Sequence, residues 1–507
     1  MRSTLALLLL SSSLCALPQT PLWELNAGAA GPGRALGSSA ARQAHLVALG
    51  DPAHGSGAGR VLLFDSRSRA VLFGLDAPTP TPQEGYGASL ALSPTHVAGG
   101  APLAAGVELV HVHALADGAH AFSVNSPGAL ADSDFGAALA FSGAELLVGE
   151  PRAHSVAPGA GAVHRYALPG GAFLGSWTPA GGAAAAQRGY GSALARSAGR
   201  VLVGGSDPHA QSDGVERVWV HDAETGELLD ELVASDGALH VGFGSALAVD
   251  GSLAAVGAPT ATNDFGLRTG AVDVYDLASS SFVRRLAPNN LSDSSRFGSS
   301  VALDGGRLWV GAPAWQGAPA GSGRVFVYDV ASGALMHELA APPLAPLEQF
   351  GARLVVDSGG LLVTATDFAT SGQAWVTRPT LSSFPATLSA TSGGNVILDL
   401  VDGPWSAGGT RLVLGSASGT LPGIPVAPGV VLPLQPDAYL LASLSSAGSF
   451  PFLAGFAPLG ANGTGTAEFF FPPGLPQGLI LHHAGLVFDA TGGVLGVSEP
   501  QPLQFVP

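Results

Sequence analysis

The chain has 507 residues, of which 47% are hydrophobic, and a formal net charge of −16 at pH 7. All 21 basic residues are arginine and they form no basic run, which argues against nucleic acid or an anionic membrane as a partner. Cys15 is the single cysteine, which excludes a disulfide framework, but a chain of this length can bury a core large enough to be stable without one.

Residues 1–20 have the pattern of a secretory signal peptide. Arg2 supplies a positive charge, residues 5–10 are apolar, and a stretch of mostly small residues follows. Lipidation of Cys15 is an alternative, which the leucine directly before it disfavours. No later stretch reaches the roughly 18 consecutive apolar residues of a membrane-spanning helix. We therefore expect an exported protein without a transmembrane segment, located in the periplasm, on the cell surface or outside the cell.

One sequence pattern recurs seven times in the chain after this segment. Each copy has an aromatic residue or Leu followed by Gly, and a Gly-x-Pro turn or a degenerate form of it begins fourteen residues after the first of the pair. The pairs begin at Leu36, Tyr86, Phe135, Tyr190, Phe243, Phe297 and Phe350, and the turns at Gly50, Gly100, Gly149, Gly204, Gly257, Gly311 and Thr364. Successive copies are 50, 49, 55, 53, 54 and 53 residues apart, which is a period typical of propeller blades.

Each copy predicts four short strands. In residues 297–340 the segments FGSSVALD, RLWVGAP, GRVFVYD and ALMHELA are strand-length and are separated by turn residues. The seven first strands read LGSSAA, YGASLA, FGAALA, YGSALA, FGSALA, FGSSVA and FGARLV. Small residues let strands converge on a central channel, whereas bulky residues such as Trp219 and Trp309 fill the wider space further out. We therefore predict an all-β fold, a seven-bladed β-propeller over residues 21–380, without helical segments.

The copies resemble the FG-GAP repeat of the integrin α-subunit propeller family, which also occurs in many bacterial surface proteins. The resemblance covers about residues 22–380. The seventh copy lacks its outer strand, and the sequence PLWELNAGAAGPGRALG near the N-terminus aligns with ALMHELAAPPLAPLEQFG of the sixth copy. We therefore expect residues 22–27 to pair with the strand around Trp375, because a closed ring leaves no exposed sheet edge.

The repeat ends near Leu381, and residues 381–507 predict a second domain. Its strand candidates are VILDLVD, TRLVLGS, DAYLLASL, TAEFFF and GLILHHAGLVFDA, separated by loops rich in Pro and Gly. This pattern predicts a β-sandwich of about 120 residues. The segment is similar to a C-terminal domain of exported planctomycete-type proteins. The sequence TLSSFP from residue 380 is interpreted as a linker between the two domains.

Calcium is the first cofactor to consider, because calcium-binding copies of the FG-GAP repeat carry loops like those of EF-hands between their first two strands. Here the corresponding turns are only SPTH, SGAE, SAGR, DGS, DGG or DSGG. Turns of this length do not supply six oxygen ligands, so Asp250 and Asp304 are interpreted as hairpin-turn residues. Asp132 and Asp134 are interpreted as a solvated pair before a repeat. We expect neither calcium nor another cofactor.

Histidine pairs are the second candidate for a metal site. His111 and His113 lie on one face of a predicted strand and could hold a metal, but no third ligand is near in sequence, and we favour a structural role. His482 and His483 are adjacent, so they point to opposite faces of a strand and do not chelate together. We expect no metal site at either pair.

The sequence shows no recognisable catalytic set. The chain after residue 20 has no cysteine, and there is no G-x-S-x-G elbow. The glycine strings at 55–60 and 159–163 precede strands rather than helices, which argues against phosphate binding. Glu227, Asp230 and Glu231 could serve a glycosidase only if folding brought carboxylates together. We expect that the protein is not an enzyme.

The expected function is that of an exported, monomeric binding or adhesion protein, with a protein or glycan partner at its propeller loops. Trp315 is the one aromatic residue expected near a rim, where it either stacks on a sugar or partner or packs between blades. Two alternatives are an enzyme, a hydrolase or lyase with a site across the propeller axis, and a structural cell-envelope component. The longest loops follow the second strand of a repeat, at 151–161, 206–215, 259–270 and 313–323.

Overall fold

The structure is a computed structural model, and it describes residues 22–25 and most of residues 35–506. Within 35–506 the residues outside the described set are 44–45, 67–69, 103–107, 129–131, 180–188, 198, 206–215, 238–241, 305, 317–322, 341–348, 358–359, 367–371, 378–379, 385–386, 393, 402–408, 419, 421–422, 428–429, 433, 446–451, 454, 461–463, 478, 489–493 and 499–500. The predicted signal segment and loop 206–215 therefore lie outside the described residues, as do residues 26–27.

In the described residues the repeat region is built from short strands and one four-residue helical turn, α1 (His54–Gly57). This turn departs from the prediction of no helical segments and overlaps the glycine string at 55–60, and its Gly55 and Ser56 have positive φ. In chain order these elements are β1 (Leu22–Glu24), β2 (Ser39–Gln43), β3 (Leu46–Asp51), α1 (His54–Gly57), β4 (Arg60–Asp65), β5 (Ala70–Leu75), β6 (Ser89–Leu92), β7 (His96–Ala101), β8 (Leu109–Ala114), β9 (His120–Asn125), β10 (Ala138–Ser142), β11 (Glu145–Glu150), β12 (Ala162–Ala167), β13 (Phe173–Trp177), β14 (Tyr190–Ser197), β15 (Arg200–Gly205), β16 (Arg217–Asp222), β17 (Leu228–Val233), β18 (Ala246–Asp250), β19 (Leu253–Ala258), β20 (Ala271–Asp276), β21 (Ser281–Leu286), β22 (Ser300–Asp304), β23 (Arg307–Ala312), β24 (Arg324–Asp329), β25 (Leu335–Leu339), β26 (Phe350–Asp357), β27 (Gly360–Ala365) and β28 (Gln373–Thr377).

These strands form seven four-stranded antiparallel sheets in the described part of the chain. Six sheets use four consecutive strands each, from β2–β5 to β22–β25, and the seventh has the order β26-β27-β28-β1. In the seventh sheet Leu22 pairs with Thr377 and Glu24 pairs with Trp375. The predicted pairing of the N-terminal segment with the strand around Trp375 is therefore confirmed for Leu22–Glu24, and residues 26–27 of the predicted segment lie outside the described residues.

The seven sheets follow one another in a closed series. The first strand of each sheet contacts the first strand of the next sheet, and β26 contacts β2. The aromatic residue, or Leu36 in the first repeat, packs between neighbouring sheets: Phe297, for example, is fully buried in a core that contains residues of both β18–β21 and β22–β25. An all-β fold of repeated four-stranded sheets is consistent with a β-propeller.

The interval of fourteen residues in the repeat reflects the register of the first hairpin of each sheet, because the two ends of the interval meet across that hairpin. The amide of Gly298 donates to the carbonyl of Gly311 at 3.0 Å, and the first, second, third and fifth repeats have equivalent bonds. The glycine expected to begin the turn lies instead near the end of the second strand, as Gly257 does in β19. This turn glycine also touches the next sheet, because a Cβ at Gly257 would lie 2.1 Å from the carbonyl oxygen of Gly298. The repeat therefore needs glycine at this position because two neighbouring backbones meet there.

The seventh sheet departs from this rule, since Thr364 stands at the position of the turn glycine. Its hydroxyl donates to the carbonyl of Gly37 in the first sheet at 2.9 Å. In three other sheets a first-strand serine makes the bond to the next sheet, namely Ser39 to Gly87 at 2.6 Å, Ser89 to Gly136 at 2.5 Å and Ser300 to Gly351 at 2.7 Å. The degenerate last turn thus still joins the last sheet to the first.

The C-terminal region continues with β29 (Thr380–Phe384), β30 (Thr387–Ser389), β31 (Gly394–Val401), β32 (Thr410–Ser416), β33 (Ile424–Ala427), β34 (Val430–Leu432), α2 (Ala438–Ser445), β35 (Phe452–Leu453), β36 (Phe456–Pro458), β37 (Thr464–Phe471), β38 (Ile480–Phe488), β39 (Val494–Val497) and β40 (Gln501–Val506). One sheet has the order β29-β31-β37-β35, and a second has the order β30-β40-β38-β32-β36 with β39 beside β38. Buried side chains of both sheets share one core, for example Leu398 and Phe469 from the first with Val487 and Phe505 from the second.

Two predictions for this region are wrong. The segment from Thr380 to Phe384, interpreted as a linker, is a strand that pairs with β31. The segment DAYLLASL, predicted as a strand, contains helix α2, because Asp437 caps its N-terminus by accepting the amide of Leu440 at 2.7 Å and Ala and Leu favour a helix. Neither described helix has the length and apolarity needed to span a membrane.

Candidate functional site

The first strands of the seven sheets line a central cavity. Its volume is 340 Å³, and its walls are formed by Ser, Ala, Leu and Val side chains together with Arg353 of β26. Arg353 is the one charged residue among those that line the cavity in the described part of the chain. The predicted small residues thus line the cavity in part, together with Leu and Val and with one arginine that the repeat pattern does not account for.

Arg353 lines this cavity, and its side chain is exposed. Its Nη1 donates to the carbonyl of Ala352 at 3.1 Å, and its side chain retains surface that is open to the cavity. The surrounding protein lowers the pKa of the guanidinium through loss of solvation, and the positive charge of Arg296 lowers it further. The arrangement therefore concentrates positive charge near the axis of an acidic protein.

The first histidine pair belongs to a hydrogen-bonded chain in the second sheet. His111 lies with Nε2 3.0 Å from Glu84 Oε1 and with Nδ1 2.7 Å from Ser123 Oγ. His113 on the same face has Nδ1 3.3 Å from the carbonyl of Gly118, and burial lowers its pKa. No group of three metal-ligating side chains occurs among the described residues. The two histidines share one face as predicted, and each of them is hydrogen-bonded to other groups of the protein.

The third sheet repeats this Glu–His–Ser chain. His164 lies with Nδ1 2.7 Å from Ser176 Oγ, and its Nε2 is hydrogen-bonded to Glu150. Burial alone would raise the pKa of the Glu150 carboxyl, but the hydrogen bond from His164 holds it below its usual value. In both sheets the serine lies on the exposed outer strand, directly opposite its histidine. The common spacing of twelve residues between His and Ser was a signal that the sequence analysis did not use.

The loop of residues 259–270 presents an exposed aromatic side chain on a fixed backbone. Asn263 Oδ1 accepts the amides of Phe265 at 3.0 Å and Leu267 at 3.1 Å. A second loop braces it: Asp293 accepts the amide of Arg268 at 2.8 Å, and further bonds join Asp264 with Asn289. Phe265 is 72% exposed and Leu267 is 39% exposed. This loop combines apolar surface with a conformation set before any partner binds.

Trp315, the aromatic residue expected near a rim, packs against the core between the fifth and sixth sheets and is partly buried. The guanidinium carbon of Arg324 lies 4.4 Å from the centre of its ring, within the range of a cation–π contact. These contacts match the alternative in which Trp315 packs between neighbouring sheets, and a role in ligand binding stays a prediction.

Four other acidic candidates lie in hairpins or ion pairs of the scaffold. Asp250 and Asp304 close the first hairpins of their sheets, opposite Leu253 and Arg307. Asp134 forms an ion pair with Arg152 at 3.0 Å, and Glu231 forms one with Arg217 at 3.2 Å.

The second histidine pair lies on β38. His483 is fully buried with Nε2 2.8 Å from the hydroxyl of Tyr439, and burial lowers its pKa to about 3. His482, the next residue toward the N-terminus, is partly buried on the alternate face of the strand. The two histidines therefore lie on opposite faces of the strand, and this is the arrangement that the sequence predicts.

Comparison with known proteins identifies a family match for one of the repeats. The strand plan is that of an all-β repeat protein, and residues 229–275, from β17 to β20, match the FG-GAP repeat family. The match extends into the fifth of the seven copies and agrees with the FG-GAP resemblance that the sequence predicts. No curated protein matches the chain. Among solved structures, a chain of Kuenenia stuttgartiensis hydrazine synthase is similar with a TM-score of 0.49 and 13% identity, over 69% of this chain and 98% of that chain, which is too distant to bear on function.

Proposed function

We propose that the seven sheets are the blades of one β-propeller, that the two larger C-terminal sheets form a β-sandwich, and that the protein is an exported, non-enzymatic binding protein. The closed series of contacts between first strands supports the propeller, and the shared core of the two sheets supports the sandwich. A rigid ring with many loops is a scaffold on which function lies in the loops. The partner is a protein or a glycan.

The observation that carries this proposal is the loop of residues 259–270. An aromatic side chain in the open, such as Phe265, is the kind of residue that dominates binding energy at interfaces. Because Asn263 and the neighbouring loop already hold the backbone, binding costs little ordering of the chain. Phe265 is therefore the residue we expect at the centre of the contact.

The test is a binding screen of the mature chain against glycan and protein arrays, followed by affinity measurements with Phe265→Ala. We expect this variant to weaken binding by at least about tenfold, since a hot-spot residue contributes more than about 1.4 kcal/mol. Phe282→Ala is the matched control, because Phe282 is 47% exposed on the outer strand β21 and lies away from the loop. A partner that binds both variants with unchanged affinity, or arrays without any partner, would contradict the proposal.

A hydrolase is the second candidate, because the two Glu–His–Ser chains end at exposed hydroxyls. The same cross-strand pair occurs in neighbouring sheets, while the acid comes from a loop in one sheet and from the second strand in the other. We interpret this repetition as a way to satisfy buried imidazoles. Labelling of Ser123 or Ser176 by a fluorophosphonate probe, lost in Ser123→Ala or Ser176→Ala, would favour the hydrolase. Self-association without a soluble ligand would favour a structural envelope component.

A further inference from the structure

We propose that the central cavity is a binding site for a small oxyanion, a carboxylate or a phosphate, with Arg353 as the residue that holds it. The site is separate from the loop surface and goes beyond the binding function proposed above. It rests on the placement of one arginine in an otherwise uncharged cavity at the axis of the ring.

The arginine replaces a residue type that the other six sheets keep small. At the equivalent position, three residues after the first of each repeat pair, the other sheets have Ser39, Ser89, Ala138, Ala193, Ala246 and Ser300. Where this residue is serine, it bonds to the carbonyl of the next sheet, and in the seventh sheet Thr364 makes that bond instead. Arg353 therefore has no share in joining the last sheet to the first, and the fold does not require an arginine there.

The charge of Arg353 is not balanced by the cavity wall. The residues that line the cavity beside it are Ser, Ala, Leu and Val, and no ion pair joins Arg353 to a carboxylate within the described residues. Arg296, three residues before the cavity-lining Ser299, adds a second positive charge. A bound anion would offset this repulsion between the two like charges.

The chemistry of the wall defines the class of ligand. A guanidinium presents its N–H groups in a planar fork that matches two oxygens of one carboxylate or phosphate. The hydroxyls of Ser39, Ser89 and Ser300 already donate to backbone carbonyls, so they add few donors to the cavity. Recognition thus depends on Arg353, and the volume of 340 Å³ admits a small anion.

The experiment is isothermal titration calorimetry of the full mature chain with inorganic phosphate, acetate and succinate, each compared with sodium chloride at the same ionic strength. The test variant is Arg353→Ser, which restores a residue that three sheets have at this position and is therefore compatible with folding. Arg284→Ser is the matched control, because it removes an arginine from the outer strand β21. Arg353→Lys keeps the charge but lacks the planar fork.

We expect the wild type to bind at least one of the three oxyanions, with an affinity that Arg353→Ser weakens at least about tenfold, the loss of one charge-assisted contact. Arg284→Ser should bind as the wild type does, Arg353→Lys should be intermediate, and Phe265→Ala should leave the affinity unchanged. The oxyanion that binds identifies the head group. Equal affinity in the wild type and Arg353→Ser, or no preference for any oxyanion over chloride, overturns the proposal.

Discussion

The contact between neighbouring sheets predicts a large effect of Gly257→Ala. A Cβ at this position would lie 2.1 Å from the carbonyl oxygen of Gly298 and 3.1 Å from the Cβ of Ala246, whereas ordinary contacts of a Cβ begin at 3.4 Å. The fifth and sixth sheets would have to separate by more than an ångström at their closest point. The opposing atoms are the backbone carbonyl oxygen of Gly298, just before β22, and the Cβ of Ala246 in β18, so no flexible side chain can yield.

The cost follows from this overlap. Overpacking a well-packed core costs about 1–3 kcal/mol, and a clash with backbone belongs at the upper end, near 3 kcal/mol. If roughly 350 residues unfold together, an unfolding entropy of about 2.1 cal/mol/K per residue gives about 0.7 kcal/mol/K, and the melting temperature falls by about 4 °C. Differential scanning calorimetry measures both the shift and the cooperativity of the transition.

Gly74→Ala is the matched control for this variant. Gly74 lies on the outer strand β5, and the nearest atom to its Cβ would be Leu62 Cδ2 at an ordinary distance of 3.7 Å. This substitution should leave the melting temperature unchanged within about a degree, since exposed substitutions away from special features cost little. A Gly257→Ala protein with the same melting temperature as the control would refute the reasoning. That result would mean that close contact with the next sheet is not the reason for glycine at this position.

The remaining predictions concern pH, closure and the boundary between the regions. The pKa of His483 is about 3 in the folded protein against 6.5 for the free side chain, so the unfolded chain binds more protons below pH 6.5. Stability of the C-terminal region should therefore be complete above pH 6.5 and fall by about 1.4 kcal/mol per pH unit below it. His483→Gln should flatten this dependence in urea titrations, and an equally steep profile would contradict the assignment. Deletion of residues 21–28 removes β1 and the buried Leu25, whose amide donates to Ala374 at 2.8 Å, and should destabilise the ring by at least about 2 kcal/mol; an unchanged melting temperature would count against closure by β1. A chain that ends at residue 377 should fold as a soluble monomer, and limited proteolysis should cut near residues 378–379, before β29; insolubility of this fragment would mean that the two regions share a core.

The strands of the repeat region could be predicted from the sequence, because the features that specify them are local. Alternating side chains, Gly turns and the spacing of fourteen residues lie within single hairpins, and the copies reinforce one another. The pairing of β1 with β28 could also be predicted, since the last repeat lacks a strand that the N-terminal segment supplies. Where only one copy of a segment exists, as in the C-terminal region, this reinforcement is missing. There the apolar run of DAYLLASL was compatible with a strand, and the cap by Asp437 decided for a helix.

Tertiary structure determines which polar and charged side chains of the candidate sites come together. Glu84 and His111 are separated by 27 residues, and the hydrogen bond between them exists only because two strands and a loop of one sheet fold together. Thr364 takes over the bond to Gly37 across 327 residues, which leaves Arg353 without a role in joining the sheets. The odd residue in FGARLV was visible in the sequence, but its position at the axis depends on seven strands converging there. Local patterns determine which segments become strands, whereas the charges that meet in a cavity depend on closure of the whole ring.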